Sequence, residues 1–146
     1  LGALLGTVRY RLSNKLNLAG IAIEWEVGDI PPLRALDEDG ALHAMRFVQE
    51  ALNNVLKHSG ADRIHVLAEW NETTRRAVVE ISDNGRGFDP NASPETGKLK
   101  KGAGLGHAGM RERLALIGGE LEIESTIGFG TTIYARVPLQ HERLTA

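Results

Sequence analysis

At 146 residues, with 17 basic against 19 acidic side chains and a net charge of −2, the chain has the length of one domain and enough residues to close a single apolar core. It carries no basic stripe or acidic tail, so its charge nominates neither nucleic acid nor membrane as a partner, and any phosphate site has to be local. The absence of cysteine excludes disulfides and thiolate-held metals and fits a reducing compartment, while the longest apolar runs, such as Leu1 to Leu5, fall far short of the ~20 residues of a membrane span.

Leu1, Leu5, Val8, Leu12 and Leu16 recur at helical spacing and predict an amphipathic helix ending near Gly20. Neither an initiating Met nor a capping residue precedes it, so residues 1–20 read as the remainder of a connection to a missing domain; a terminal helix packed on its own domain is the equal alternative. Ile21, Ile23, Trp25 and Val27 then alternate with Ala22, Glu24 and Glu26, the period of a strand with one buried face. Gly28 to Gly40, with Pro31-Pro32, reads as a loop, and a long helix is expected over about 41–58. Strands follow at Ile64 to Trp70 and Ala77 to Ser82. A polar loop, Asp89 to Lys101, leads to a helix over 105–117 that stops at Gly118-Gly119, and Leu121 to Ser125 and Thr132 to Val137 alternate again. Five strands interleaved unevenly with three helices predict an α/β two-layer sandwich over a mixed sheet, not a regular βαβ winding.

On the helix over 41–58, Glu50, Asn53, Asn54 and Lys57 share one stripe at ~100° per residue, with Met45, Val48, Leu52, Val55 and Leu56 opposite. An ordinary amphipathic helix with a wetted polar face is one reading. Against it, Asn costs several tenths of a kcal/mol relative to Ala in a helix interior, so helix stability does not ask for Asn53-Asn54. An amide oxygen one turn from a carboxylate suits Mg²⁺, which takes one or two protein oxygens and completes its octahedron with water and nucleotide phosphates. Asn54 is therefore the candidate metal ligand. Glu50 is a candidate for polarising a water or hydroxyl, or for holding a metal-bound water, and Lys57 for neutralising phosphate.

Asp83 follows a strand directly, and Asn84-Gly85 is a common hairpin loop. The chain continues through Arg86-Gly87-Phe88-Asp89-Pro90 with no partner strand in range, so the glycines fit a close backbone approach to a planar ligand better. An ionised Asp only accepts hydrogen bonds and the exocyclic amine of adenine only donates them, so Asp83 at the base of a pocket would select adenine. Gly102-Ala-Gly104-Leu105-Gly106 opens a helix whose free N–H groups attract phosphate. No strand feeds it directly, and Gly97-Lys98 is followed by Leu99 in place of Ser or Thr, so neither the dinucleotide fingerprint nor the P-loop applies. A flexible hinge is the bland alternative, compatible with a lid beside a phosphate site.

In this order the segments resemble the N, G1, G2 and G3 boxes of the Bergerat-fold ATPases, the superfamily of gyrase, Hsp90, MutL and histidine kinases, over about residues 21–139, with 140–146 left as a C-terminal tail. Phe47-Val-Gln-Glu-Ala-Leu-Asn-Asn54 with Lys57-His58, Gly109-Met-Arg-Glu-Arg-Leu114 and Gly128-Phe-Gly-Thr-Thr132 are most similar to the catalytic ATP-binding domain of a sensor histidine kinase of the subgroup signalling to NarL-type response regulators. The resemblance implies a mixed five-stranded sheet with helices on one face, and ATP and Mg²⁺ as cofactors. It implies Glu50 as the catalytic or metal-organising acid, Asn54 as the Mg²⁺ ligand and Lys57 near phosphate. It further implies Asp83 on the adenine amine, Gly85 and Gly87 shaping the adenine pocket, Gly102, Gly104, Leu105 and Gly106 flanking the phosphates, and Thr131 assisting at the adenine side. The family's phosphoacceptor histidine, followed by an acidic residue on a dimerisation helix, matches none of His43, His58, His65, His107 and His141, and is expected on a domain ahead of this one. That acceptor domain and a NarL-type regulator are the implied partners, in a cytoplasmic fragment of a protein that is often membrane-anchored in this family. An anti-sigma-factor serine kinase of the same fold, and a non-catalytic interaction domain, are the alternatives.

Overall fold

Residues 2–33, 37–87 and 109–138 are described by a computed structural model of the chain. In chain order these are α1 (Gly2–Leu18), β1 (Ala22–Val27), α2 (Glu38–Asn54) continued by a π-helical turn (Val55–Ser59), β2 (Arg63–Asn71), β3 (Arg76–Asp83), α3 (109–115), β4 (Glu120–Thr126) and β5 (Gly130–Pro138). The strands form one five-stranded sheet in the order β1-β2-β3-β5-β4. β1 and β2 run parallel because α2 lies in the connection between them, and all other pairs are antiparallel.

Strand alternation sorts the side chains to two faces. Ile64, Val66 and Ala68 of β2, Ala77, Val79 and Ile81 of β3, and Ile133, Ala135 and Val137 of β5 are buried. They share one core with Leu5, Val8, Leu12 and Leu16 of α1, Phe47, Val48, Ala51 and Leu52 of α2, and Met110 and Leu114 of α3. The opposite face carries Glu24, Glu26, Glu69, Glu122 and Glu124, all exposed. The expected α/β two-layer architecture over a mixed sheet is thus the observed one.

Several boundaries differ from expectation. α2 begins three residues early because Asp37 caps it, Oδ1 accepting from Gly40 N–H at 2.8 Å. Its α-helical part stops at Asn54, where the Val55 N–H is shared between the Ala51 and Leu52 carbonyls, and the π-helical turn Val55–Ser59 follows. α3 ends at residue 115, and Gly119 N–H closes onto the Leu114 carbonyl at 2.7 Å. Val27, expected inside by its alternation, lies at the sheet edge and is 45% exposed. The loop Asp89 to Lys101 and the tail 140–146 lie outside the described residues. Among the described residues no helix is long and apolar enough to cross a membrane.

Candidate functional site

Asp83 ends β3, paired with Ile64 of β2 on one side and Thr131 of β5 on the other. β3 lies between those two strands, so the segment Asn84 to Gly87 leaves the sheet as a loop and does not turn back into a hairpin. The Asp83 Oδ1 accepts from the Gly85 N–H at 2.8 Å. Burial pushes its carboxyl above the usual aspartate range, opposed by the backbone amides of Gly85 and Thr131. The result is a half-buried acceptor at the inner end of a strand.

Two glycines let the backbone close over this point. Gly87 sits at φ +64 against the turn after β4, where a β-carbon would overlap the Thr126 carbonyl oxygen. Gly130, at φ +96, crosses so near Asp83 that a β-carbon would overlap the aspartate's own carbonyl oxygen. Between them Gly128 N–H donates to the Arg86 carbonyl at 2.7 Å. Strand register and one turn in this way bring Thr131 beside the Asp83, Gly85 and Gly87 segment. Ser125 and Thr131 add a hydroxyl pair at 2.8 Å across β4 and β5.

The second half of the site comes from α2. Glu50, Asn53 and Asn54 are half-buried and Lys57 is exposed. Lys57 stands in the π-helical turn that follows Asn54. Glu50 is already engaged, its Oε2 accepting from Arg113 Nε at 3.1 Å. The π-helical turn ends at Gly60, and Asn84 fastens the residues leading into β2. Its Oδ1 accepts from the N–H groups of Asp62 and Arg63 at 3.1 and 3.0 Å, and its Nδ2 donates to Asp62 Oδ1 at 2.7 Å. One short run of chain and one side chain therefore tie the end carrying Asn54 to the neighbour of Asp83. Gly102, Gly104, Leu105 and Gly106 lie outside the described residues.

Sequence reasoning assigns no role to Asn84 and Arg113. Asn84 is hidden because Asn-Gly reads as a turn and its partners lie 21 and 22 residues back. Arg113 is visible only inside a motif, and its partner is 63 residues away.

Comparison with known proteins supplies the context. The family described as histidine kinase-, DNA gyrase B- and HSP90-like ATPase matches residues 39–141. The signal transduction histidine-protein kinase/phosphatase DegS of Bacillus subtilis (strain 168) is 43% identical over 94 residues, covering 64% of this chain and 23% of the relative. DegS of Brevibacillus brevis is 39% identical over 97 residues, 66% of this chain and again 23% of the relative; the chain thus spans about a quarter of the length of these kinases. Among solved structures, the nucleotide-free catalytic domain of the histidine kinase ThkA superposes with a TM-score of 0.76 at 16% identity, covering 97% of this chain and 95% of that one. Full-length ShkA in complex with AMPPNP gives 0.73 at 23% identity, covering 96% and 30%. At these identities the structures speak for the fold alone.

Proposed function

Because this chain belongs to the family of histidine kinase-, DNA gyrase B- and HSP90-like ATPases, we propose that it binds Mg·ATP for a two-component sensor kinase and sets the γ-phosphate for in-line transfer to a histidine on a separate dimerisation domain. The observation that carries the reading is Asp83: a half-buried carboxylate held by two backbone amides, beside two glycines whose β-carbons have no room, and tied through Asn84 to the end of α2.

A carboxylate with these partners still has acceptor capacity, which suits the exocyclic amine of adenine. On this reading Thr131, which pairs with Asp83 in the sheet, would assist at the adenine side. The half-buried Asn54 amide and Glu50 carboxylate are hard oxygen donors one helical turn apart, a set that fits Mg²⁺ with the remaining positions filled by water and phosphate. When bound, the metal would neutralise phosphate charge. Asn54 would hold it, Lys57 would add a compact cation on a flexible stem, and Glu50 would orient the nucleophile or a metal-bound water. Gly102, Gly104, Leu105 and Gly106 would bring helix-end amides to the phosphates. The domain's contribution is then positioning and charge neutralisation.

The DegS relatives support a signal transduction histidine kinase, and the Gly109-Met-Arg-Glu-Arg-Leu114 segment is the basis for reading it as one signalling to a NarL-type regulator; on this reading the domain works in the cytoplasm and residues 1–20 link it to the acceptor domain. The test is transfer from γ-labelled Mg·ATP to that acceptor domain. Acid-labile, base-stable label, lost in Asp83→Asn, is expected for a phosphohistidine; acid-stable label would instead indicate a serine kinase of the same fold.

A further inference from the structure

Glu50 does not stand alone on the polar face of α2. Arg113 Nε donates to its Oε2 at 3.1 Å, and the Arg113 and Glu50 side chains are 33% and 28% exposed, so the pair is shielded more than one at the open surface. The other oxygen, Oε1, lies against Gly109, where a β-carbon would come within 3.3 Å of it. Gly109 and Arg113 are one helical turn apart and share a face of α3. Its other face is anchored in the core through Met110 and Leu114, 0% and 1% exposed. The guanidinium is thus delivered from a helix anchored in the core, with the second carboxylate oxygen of Glu50 lying beside Gly109.

We propose that Arg113 is the positioning residue of Glu50, holding one carboxylate oxygen so that the other is set for the nucleophile or a metal-bound water, and so coupling α3 to the reacting end of the nucleotide. The inference rests on the proposed placement of Glu50 at the γ-phosphate. Two effects make the pair useful there. A carboxylate fixed by a cation loses little freedom when it orients a nucleophile. The guanidinium also offsets the negative charge that a bare carboxylate would place beside a triphosphate. Arg suits this role better than Lys, because its Nε–H has a direction set by the planar guanidinium.

The test compares wild type, Arg113→Ala, Arg113→Lys, Glu50→Gln and the Arg113→Ala/Glu50→Gln double variant in the kinase joined to its phosphoacceptor domain. Autophosphorylation rate is measured at saturating Mg·ATP, and affinity by titration with a non-hydrolysable analogue. Arg113→Ala is expected to slow phosphorylation at least tenfold with affinity changed less than threefold, Arg113→Lys to fall between, and the double variant to be within twofold of Glu50→Gln alone. A rate within twofold of wild type in Arg113→Ala, or an Arg113→Ala loss equally large on both backgrounds, would overturn the proposal. If Arg113→Ala melts below the assay temperature, a full rate in Arg113→Lys, which lacks the Nε donor, overturns it instead. Should Glu50→Gln itself keep the wild-type rate, the placement of Glu50 at the γ-phosphate fails; a slow Glu50→Gln beside a normal Arg113→Ala removes only the role of Arg113.

Discussion

Asn84 and Asp62 are joined twice, side chain to side chain at 2.7 Å and Asn84 Oδ1 to the Asp62 N–H at 3.1 Å. With the Arg63 N–H as a third partner at 3.0 Å, the amide occupies the gap between the end of the π-helical turn and the strand end carrying Asp83. Asn84→Ala leaves these exposed groups to water and is expected to cost about 0.5–1.5 kcal/mol by chemical denaturation. It is also expected to weaken nucleotide binding, since the tie between the two halves of the site is lost. An unchanged denaturation midpoint would show that the tie carries no load.

Asp83 predicts a pH dependence with a definite sign. Burial raises its carboxyl above the ordinary aspartate range despite the Gly85 and Thr131 amides, so the folded state binds this proton more tightly than the unfolded state does. Its contribution to stability is complete below the unfolded value of about 3.9 and is lost as pH rises through the raised folded value. Asp83→Asn removes that loss. The variant should melt at or above the wild-type temperature near neutral pH, with the advantage vanishing as the pH approaches the unfolded value. Melts recorded across this range check it, and a variant destabilised equally at both ends contradicts it.

Gly87 and Gly130 are expected to tolerate no side chain. Each sits at positive φ, +64 and +96, with a carbonyl oxygen where the β-carbon would go. Left-handed backbone alone costs an L-residue about 1–2 kcal/mol, and the overlap adds to it. Gly87→Ala and Gly130→Ala should each lose at least about 2 kcal/mol in denaturant unfolding, while Gly6→Ala, whose β-carbon meets nothing within 4 Å, should not.

Legibility in the sequence divides along the range of the interactions. Strand alternation places Ile64, Val66 and Ala68 on the buried face, because a period of two is written in neighbouring residues. The Glu50 and Asn54 stripe is readable for the same reason. The π-helical turn is not: nothing in Val55-Leu-Lys-His-Ser59 announces a widened turn, so the winding of the helix end that carries Lys57 is seen only in the structure. The cap at Asp37 is hidden within an acidic run that reads as loop. The Asn84 and Arg113 contacts join distant segments, and only the folded sheet and core define which distant segments meet.

On the proposed function, one Mg·ATP joins the Asp83 end of β3 to the Asn54 end of α2. The most direct measurement is calorimetric titration of a non-hydrolysable ATP analogue into wild type, Asp83→Asn and Asn54→Ala, each with and without Mg²⁺. Wild type should bind more tightly with the metal. Asp83→Asn should lose at least tenfold in affinity under both conditions, and Asn54→Ala should lose the metal's contribution while keeping the metal-free affinity. Equal affinities in all three proteins, or a metal response intact in Asn54→Ala, would contradict the account.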